Sequence, residues 1–214
     1  MAKLLEAEGL LFCDLSDFTV YLNHLDEGEL RNFAEVYEGF LRKMMELRYT
    51  WTGKYLANRM GDGFIWLDFN PGTDGLSLLD FSEQALGPLV EAFTKSVKVL
   101  CDRPGLRGVR QTLVCGTIPY AEVRIDDKTV GKQSTSRIDF LSPEINRAAR
   151  INSLKESEDF RILGNGTFGN RLQDHRPERA AGLIDLGLRQ LKGLEKAARV
   201  WGLGVREAKR SYYL

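Results

Sequence analysis

The stretch Leu11-Phe12-Cys13-Asp14-Leu15-Ser16-Asp17-Phe18-Thr19 decides how the chain reads. An apolar run that ends in an acid is the pattern of a buried central strand, here Gly9–Asp14, that delivers a carboxylate to its end. A tight polar turn and an amphipathic helix follow. A second acid stands in a matching place, in Met60-Gly61-Asp62-Gly63-Phe64-Ile65, between two strand-like segments. Asp-Gly flanked by aromatic and β-branched residues is a hairpin signal. Two carboxylates at strand ends, aimed at one point, suit a pair of divalent cations. Hard ions such as Mg²⁺ prefer carboxylate oxygens and keep open positions for substrate phosphates. The pattern predicts a two-metal phosphoryl-transfer site.

Outward from that centre, Asp26 and Glu29 have capping-box spacing. Leu30, Phe33, Tyr37, Phe40 and Met44 then recur every three or four residues, as the core face of one long helix does. Tyr49–Met60 and Asp62–Phe69 read as two strands, and Leu86–Leu100 as a second helix with Pro88 in its first turn. Val109–Val123 suggests two strands around Gly116 and Pro119, and the polar stretch Asp126–Ser136 an arm. Ser142 and Pro143 open a helix through Ile151. Arg161–Leu163 reads as a short strand, and the strands Leu183–Leu188 and Arg199–Leu203 flank Leu191-Lys192-Gly193. The order β-α-β-β-α-β with additions predicts an α+β, ferredoxin-like core, an antiparallel sheet with helices on one face.

Composition narrows the classes. Thirty basic and thirty acidic residues cancel, so no global field favours nucleic acid or an anionic membrane. Three cysteines without ligand spacing argue against a disulfide framework or a zinc site. Glu6 and Glu8 stand where a signal peptide needs an apolar core, and no run approaches the ~20 apolar residues of a membrane span. The expectation is one cytoplasmic domain over residues 1–214, with its motifs in about 9–203.

The motifs together resemble those of class III adenylate and guanylate cyclases. Phe12–Thr19 resembles the opening motif, Gly61-Asp62-Gly63 the hairpin motif, Ile145-Asn146-Arg147-Ala148-Ala149-Arg150 the transition-state helix, and Leu191-Lys192-Gly193 the late phosphate-binding lysine. They occur in family order over nearly the whole chain. Each alone has a plainer reading: Asp14 as a turn cap, Arg150 as a surface arginine, Lys192 as a solvated lysine.

The resemblance implies that a ribose 3′-oxygen attacks the α-phosphate of a nucleoside triphosphate, closing a 3′,5′-cyclic monophosphate and expelling pyrophosphate. It implies two divalent cations, Mg²⁺ or Mn²⁺, held by Asp14 and Asp62 with Leu15. Ser16, Asp17, Phe18 and Thr19 would form the phosphate turn, with Asp17 where the family usually has glycine. Asn146 would orient the ribose and Arg150 offset charge on the α-phosphate, one turn apart on a single helix face. Lys192 would pair with the terminal phosphates. In this family the metal aspartates of one subunit face the Asn/Arg helix of the other, so a head-to-tail homodimer is implied.

Base choice departs from the familiar members. Four residues before the hairpin aspartate, where adenylate cyclases usually carry lysine and guanylate cyclases glutamate, stands Asn58. Seven before Asn146, a common adenylate-cyclase aspartate position holds Asp139. An amide both donates and accepts, so Asn58 suits several bases, and an aromatic among Tyr49, Trp51 and Tyr55 would narrow the pocket. With no sensory module in the sequence, the chain looks like the standalone pyrimidine cyclases of bacterial anti-phage (Pycsar) systems. Those make cyclic UMP or cyclic CMP for a separate cyclic-nucleotide-responsive effector. An adenylate cyclase, and a non-catalytic cyclase-like dimerisation module, are the alternatives.

Overall fold

The computed structural model describes residues 3–60, 62–101, 106, 108–127 and 135–205, with 3, 48, 56–60, 101, 124–127, 135–139 and 205 as backbone alone. Among these residues, eight strands form one sheet in the order β2-β3-β1-β4-β6-β8-β7, with β5 joined to β4. The strands are β1 (Lys3–Leu15), β2 (Lys54–Met60), β3 (Gly63–Asp68), β4 (Val109–Asp127), β5 (Thr135–Leu141), β6 (Phe160–Asn165), β7 (Leu183–Arg189) and β8 (Ala198–Val205). The sub-order β2-β3-β1-β4 is that of a ferredoxin-like βαββαβ unit. The longer helices are α2 (Glu27–Thr50), α4 (Gly87–Cys101), α5 (Pro143–Asn152) and α6 (Gly166–His175); α1 (Phe18–Leu22), α3 (Ser77–Phe81) and α7 (Pro177–Ala180) are short.

The period-2 alternation of β1 sorts the core into two layers. Leu11, Cys13 and Leu15 share one cluster with Phe33, Phe40 and Met44 of α2, Val90, Phe93 and Val97 of α4, and Phe168 of α6. Phe40 and Phe93 stack at 4.4 Å where α2 meets α4. Leu10 and Phe12 face the other way, into a cluster with Ile65, Val114, and Ile145 and Ala148 of α5. Helices thus cover both faces, not one as the sequence suggested. The helix that carries Asn146 and Arg150 is the one on the second face.

Three boundaries differ from the sequence reading for local reasons. The capping box closes as predicted, with Asp26 and Glu29 bonding each other's backbone N–H at 2.8 and 3.0 Å. The helix then runs on to Thr50, so Tyr49 is helical and β2 begins at Lys54. Val109–Asp127 is one strand and not two. Its Gly116, at φ 128°, lies in a bulge of β4, where Gly116 and Thr117 face Glu8 alone between the pairs Ala7–Ile118 and Gly9–Cys115. Finally, α3 leads through a π-helical turn, Ser82–Leu86, straight into α4. Gly87 there donates to the Ser82 carbonyl, and the proline after it has no N–H to place.

Candidate active site

The end of β1 lies between β3 and β4, with Asp14 opposite Gly63 on one side and Arg110 on the other. Asp14 follows Leu10 and Phe12 in the alternation, so its carboxylate is on the sheet face that α5 covers. It is partly buried and ion-paired to the Arg110 guanidinium. Asp62 stands just before β3, and its backbone carbonyl accepts from the Leu15 N–H at 3.2 Å. That backbone bond sets the two acids side by side at the strand ends. Burial raises the pKa of Asp62 and the neighbouring Asp14 charge raises it further, with Arg110 only partly offsetting them. Two acids and one cation leave surplus negative charge at this point. Gly61, the first residue of the hairpin motif, lies outside the described residues.

This donor set fits a hard divalent cation. Among the described residues no cluster of three or more His, Cys, Asp or Glu forms a closed cage. Mg²⁺ is commonly held by one or two carboxylates together with substrate phosphates and water, and so needs no such cage. The side chain of Leu15 is in the core, leaving its backbone carbonyl as the group it can offer.

The turn after β1 is rigidly tied. The Ser16 N–H donates to the Gly108 carbonyl at 2.9 Å, and Asp17 sits at φ 63°, the left-handed region that favours glycine. Aspartate tolerates that region better than most residues, which explains how it stands in a glycine place. The first intrahelical bond of α1 runs from the Tyr21 N–H to the Asp17 carbonyl at 2.8 Å. Among the described residues the N–H groups of Phe18 and Thr19 have no backbone partner. The Phe18 ring is in the core, 5.8 Å from Phe33, so only its backbone faces the turn. Thr19 is exposed.

A second cluster lies around α5 and the turn between β7 and β8. Ser142 caps α5 and Pro143 occupies its first turn. Ile145, Ala148, Ile151 and Asn152 are buried, which turns Asn146 and Arg150 to the exposed side. Neither has a side-chain partner among the described residues. The lysine turn is held by the Leu194 N–H donating to the Leu191 carbonyl at 3.1 Å, with Gly193 at φ 78°. Leu191 packs in one cluster with Ile151, and Lys192 is exposed beside it. Arg150 and Lys192 are therefore anchored at the same cluster through their buried neighbours.

Asn58 and Asp139 are placed by backbone only. Asn58 pairs with Ile65 in β2 and Asp139 with Val123 in β5; their side chains lie outside the described residues. Tyr55, three residues before Asn58, packs edge-on against Phe140 at 5.6 Å, which brings β2 and β5 together. Tyr49 and Trp51 lie elsewhere: Trp51 caps α2 and packs on Phe81.

Sequence reasoning missed Arg110. Nothing in Val109-Arg110-Gln111 distinguishes it from a strand arginine until the register sets it opposite Asp14. Its Nε is buried without an acceptor among the described residues.

No family model matches the chain, and no curated protein matches it in sequence. The fold, however, recurs over nearly its full length in solved nucleotide cyclases. The adenylyl cyclase CyaB from P. aeruginosa superposes with a TM-score of 0.62 at 18% identity, covering 98% of this chain and 98% of that one. The guanylyl cyclase Cya2 gives 0.63 at 19% identity, covering 98% and 97%. The guanylate cyclase domain of RhGC from Catenaria anguillulae, solved in complex with GTP, gives 0.65 at 14% identity, covering 96% and 100%. The chain has the class III nucleotide cyclase fold. No helix among the described residues is long and apolar enough to cross a membrane.

Proposed function

We propose that the chain is a nucleotide cyclase that converts a pyrimidine nucleoside triphosphate, UTP or CTP, to its 3′,5′-cyclic monophosphate and pyrophosphate. The observation that carries the reading is the meeting of Asp14 and Asp62 with surplus negative charge, on a class III cyclase fold. Divalent cations bound there would activate the 3′-oxygen and neutralise the triphosphate. Arg110, partly exposed and ion-paired to Asp14, would offer its guanidinium to a phosphate oxygen.

The 3′-oxygen loses its proton and bonds to the α-phosphorus, and the bond to the β-phosphate bridging oxygen breaks. Arg150 offsets the charge that builds on the α-phosphate, Asn146 fixes the ribose, and Lys192 holds the departing pyrophosphate. The exposed, unpartnered state of Asn146 and Arg150 supports a site completed between two copies, in which one chain's acids meet its partner's α5.

Asn58 in place of a purine-reading lysine or glutamate, with the Tyr55–Phe140 contact between β2 and β5, supports a smaller base. The product would serve as an antiviral signal to a separate effector, in a cytoplasmic setting. The aspartate at position 139 favours ATP as the second reading, and one assay separates the two. Purified protein is incubated with ATP, GTP, CTP or UTP in Mn²⁺ and in Mg²⁺, with Asp62→Ala alongside, and products are identified by mass spectrometry. Cyclic UMP or cyclic CMP from wild type alone is the expected result. Cyclic AMP with no pyrimidine product would overturn the base assignment. No product from any triphosphate would overturn the enzyme reading in favour of a dimerisation module.

A further inference from the structure

We propose that the groove between α4 and the β6–β8 edge binds a small single-headed anionic amphiphile, an acyl or aryl carboxylate, and that its occupancy bears on the turn after Asp14. The binding half stands on geometry alone; the regulatory half rests on the function proposed above.

The groove has a volume of about 940 Å³, in the size range of small-molecule sites. Val90, Ile162 and Leu203, all buried core residues, contribute apolar side chains to its lining. The π-helical turn forms part of one wall, and such turns are frequent at functional sites. Ser82 from that turn donates to the Gln111 side-chain oxygen, leaving the Gln111 amide nitrogen without a partner among the described residues.

The charged residues around the groove decide the ligand's sign. Glu83 is paired with Arg179, which also holds Asp80, and Glu91 with Lys95 at 2.7 Å. Arg161 has no acidic partner among the described residues. Its stem lies over Gly204, where an added Cβ would come within 3.2 Å of the Arg161 Cδ. An apolar body in the groove with a carboxylate on Arg161, and an acceptor for the Gln111 amide, satisfies every group left open.

The connection to the active site is a single hydrogen bond. Gly108 lines the groove, and its carbonyl accepts the Ser16 N–H at 2.9 Å. Gln111 is the next residue after Arg110, facing the opposite side of β4. A ligand that orders Gly108–Gln111 therefore orders the strand that holds the acid pair and its turn.

The test uses decanoate as probe, with decylammonium and decanol of equal chain length, by isothermal titration calorimetry on the full chain. Decanoate is expected to bind with a Kd of about 100 µM or tighter, and decylammonium not to bind. Arg161→Glu, a surface change, should weaken decanoate at least about tenfold. Thr94→Trp, at a half-buried position of α4 lining the groove, should block it, with circular dichroism unchanged in both variants. Bound decanoate should slow hydrogen exchange at the Ser16 amide. Equal binding of decanoate and decylammonium, full affinity in Arg161→Glu, or no heat at all would overturn the site. Binding without slower exchange at Ser16 would overturn the coupling alone. Because no readout needs turnover, an inactive protein that binds decanoate would refute the proposed function and leave this site standing.

Discussion

Strand β3 has an acid at each end, and the two ends are built to opposite rules. Asp68, at its last residue, is fully buried. It accepts from Lys54 at 2.9 Å, from Thr73 at 2.8 Å, from the Asn70 N–H at 3.0 Å and from the Ser77 hydroxyl. Lys54 is itself buried and donates a second bond to Ser77 at 2.6 Å. Every partner comes from this chain, and nothing is left for a ligand. At the other end, Asp62 and Asp14 share one arginine, remain partly accessible and repel each other. A closed network around a buried charge is scaffold, because breaking it strands an uncompensated ion. An open pair with surplus charge is a place where an outside cation lowers the energy.

That contrast breaks most sharply in turnover. On the function proposed above, Asp62→Ala should lower cyclisation by about 10³-fold or more, since it removes a proposed cation ligand, while a urea melt moves little. An equal loss of stability and activity would erase the distinction. Mixing Asp62→Ala with Arg150→Ala should restore part of the activity if sites form between copies. Mixtures as inactive as either variant would exclude that assembly.

Asp68→Ala reverses the pattern. Leaving Lys54 buried without its carboxylate should cost about 3–5 kcal/mol, read as a fall in Tm on the order of 10 °C.

The pH dependence of the metal-free protein is a smaller effect with a definite sign. Asp62 has a folded pKa above its unfolded one, so the folded state holds the proton more tightly. The stability this contributes is complete below about pH 4, the ordinary aspartate value, and is lost as pH rises through the raised folded pKa. Asp62→Asn should flatten that part of the Tm–pH curve. Mn²⁺ should raise Tm most above it, where Asp62 is charged. The smallest expected change is at Thr112, whose hydroxyl donates to the buried Asn152 at 3.2 Å and ties the end of α5 to β4. Thr112→Val should cost about 1–2 kcal/mol, measured by urea unfolding.

The local signals in the chain were legible where one element specified itself. The Asp26–Glu29 capping box, the α2 stripe, the Ser142-Pro143 start of α5 and the Asp-Gly hairpin need only neighbours in sequence. The long β4 was not legible, because Gly116 and Pro119 are turn formers until pairing with β1 takes Gly116 into a bulge within β4 and Pro119 into register with Glu6. Helix α6 was missed because Asn165, which caps it and bonds both backbone groups of Cys115, reveals its role only across the sheet. The two acids were visible as strand-end carboxylates, yet Arg110 was not.

The periodicities, the caps and the acids at the ends of apolar runs are written locally in the chain, because they depend on residues within a few positions of one another. Folding in three dimensions settled which acids share Arg110, which face α5 covers, and that Lys54 and Asp68 close on each other. Those outcomes depend on strand register, and register is a contest among distant segments that no local window contains.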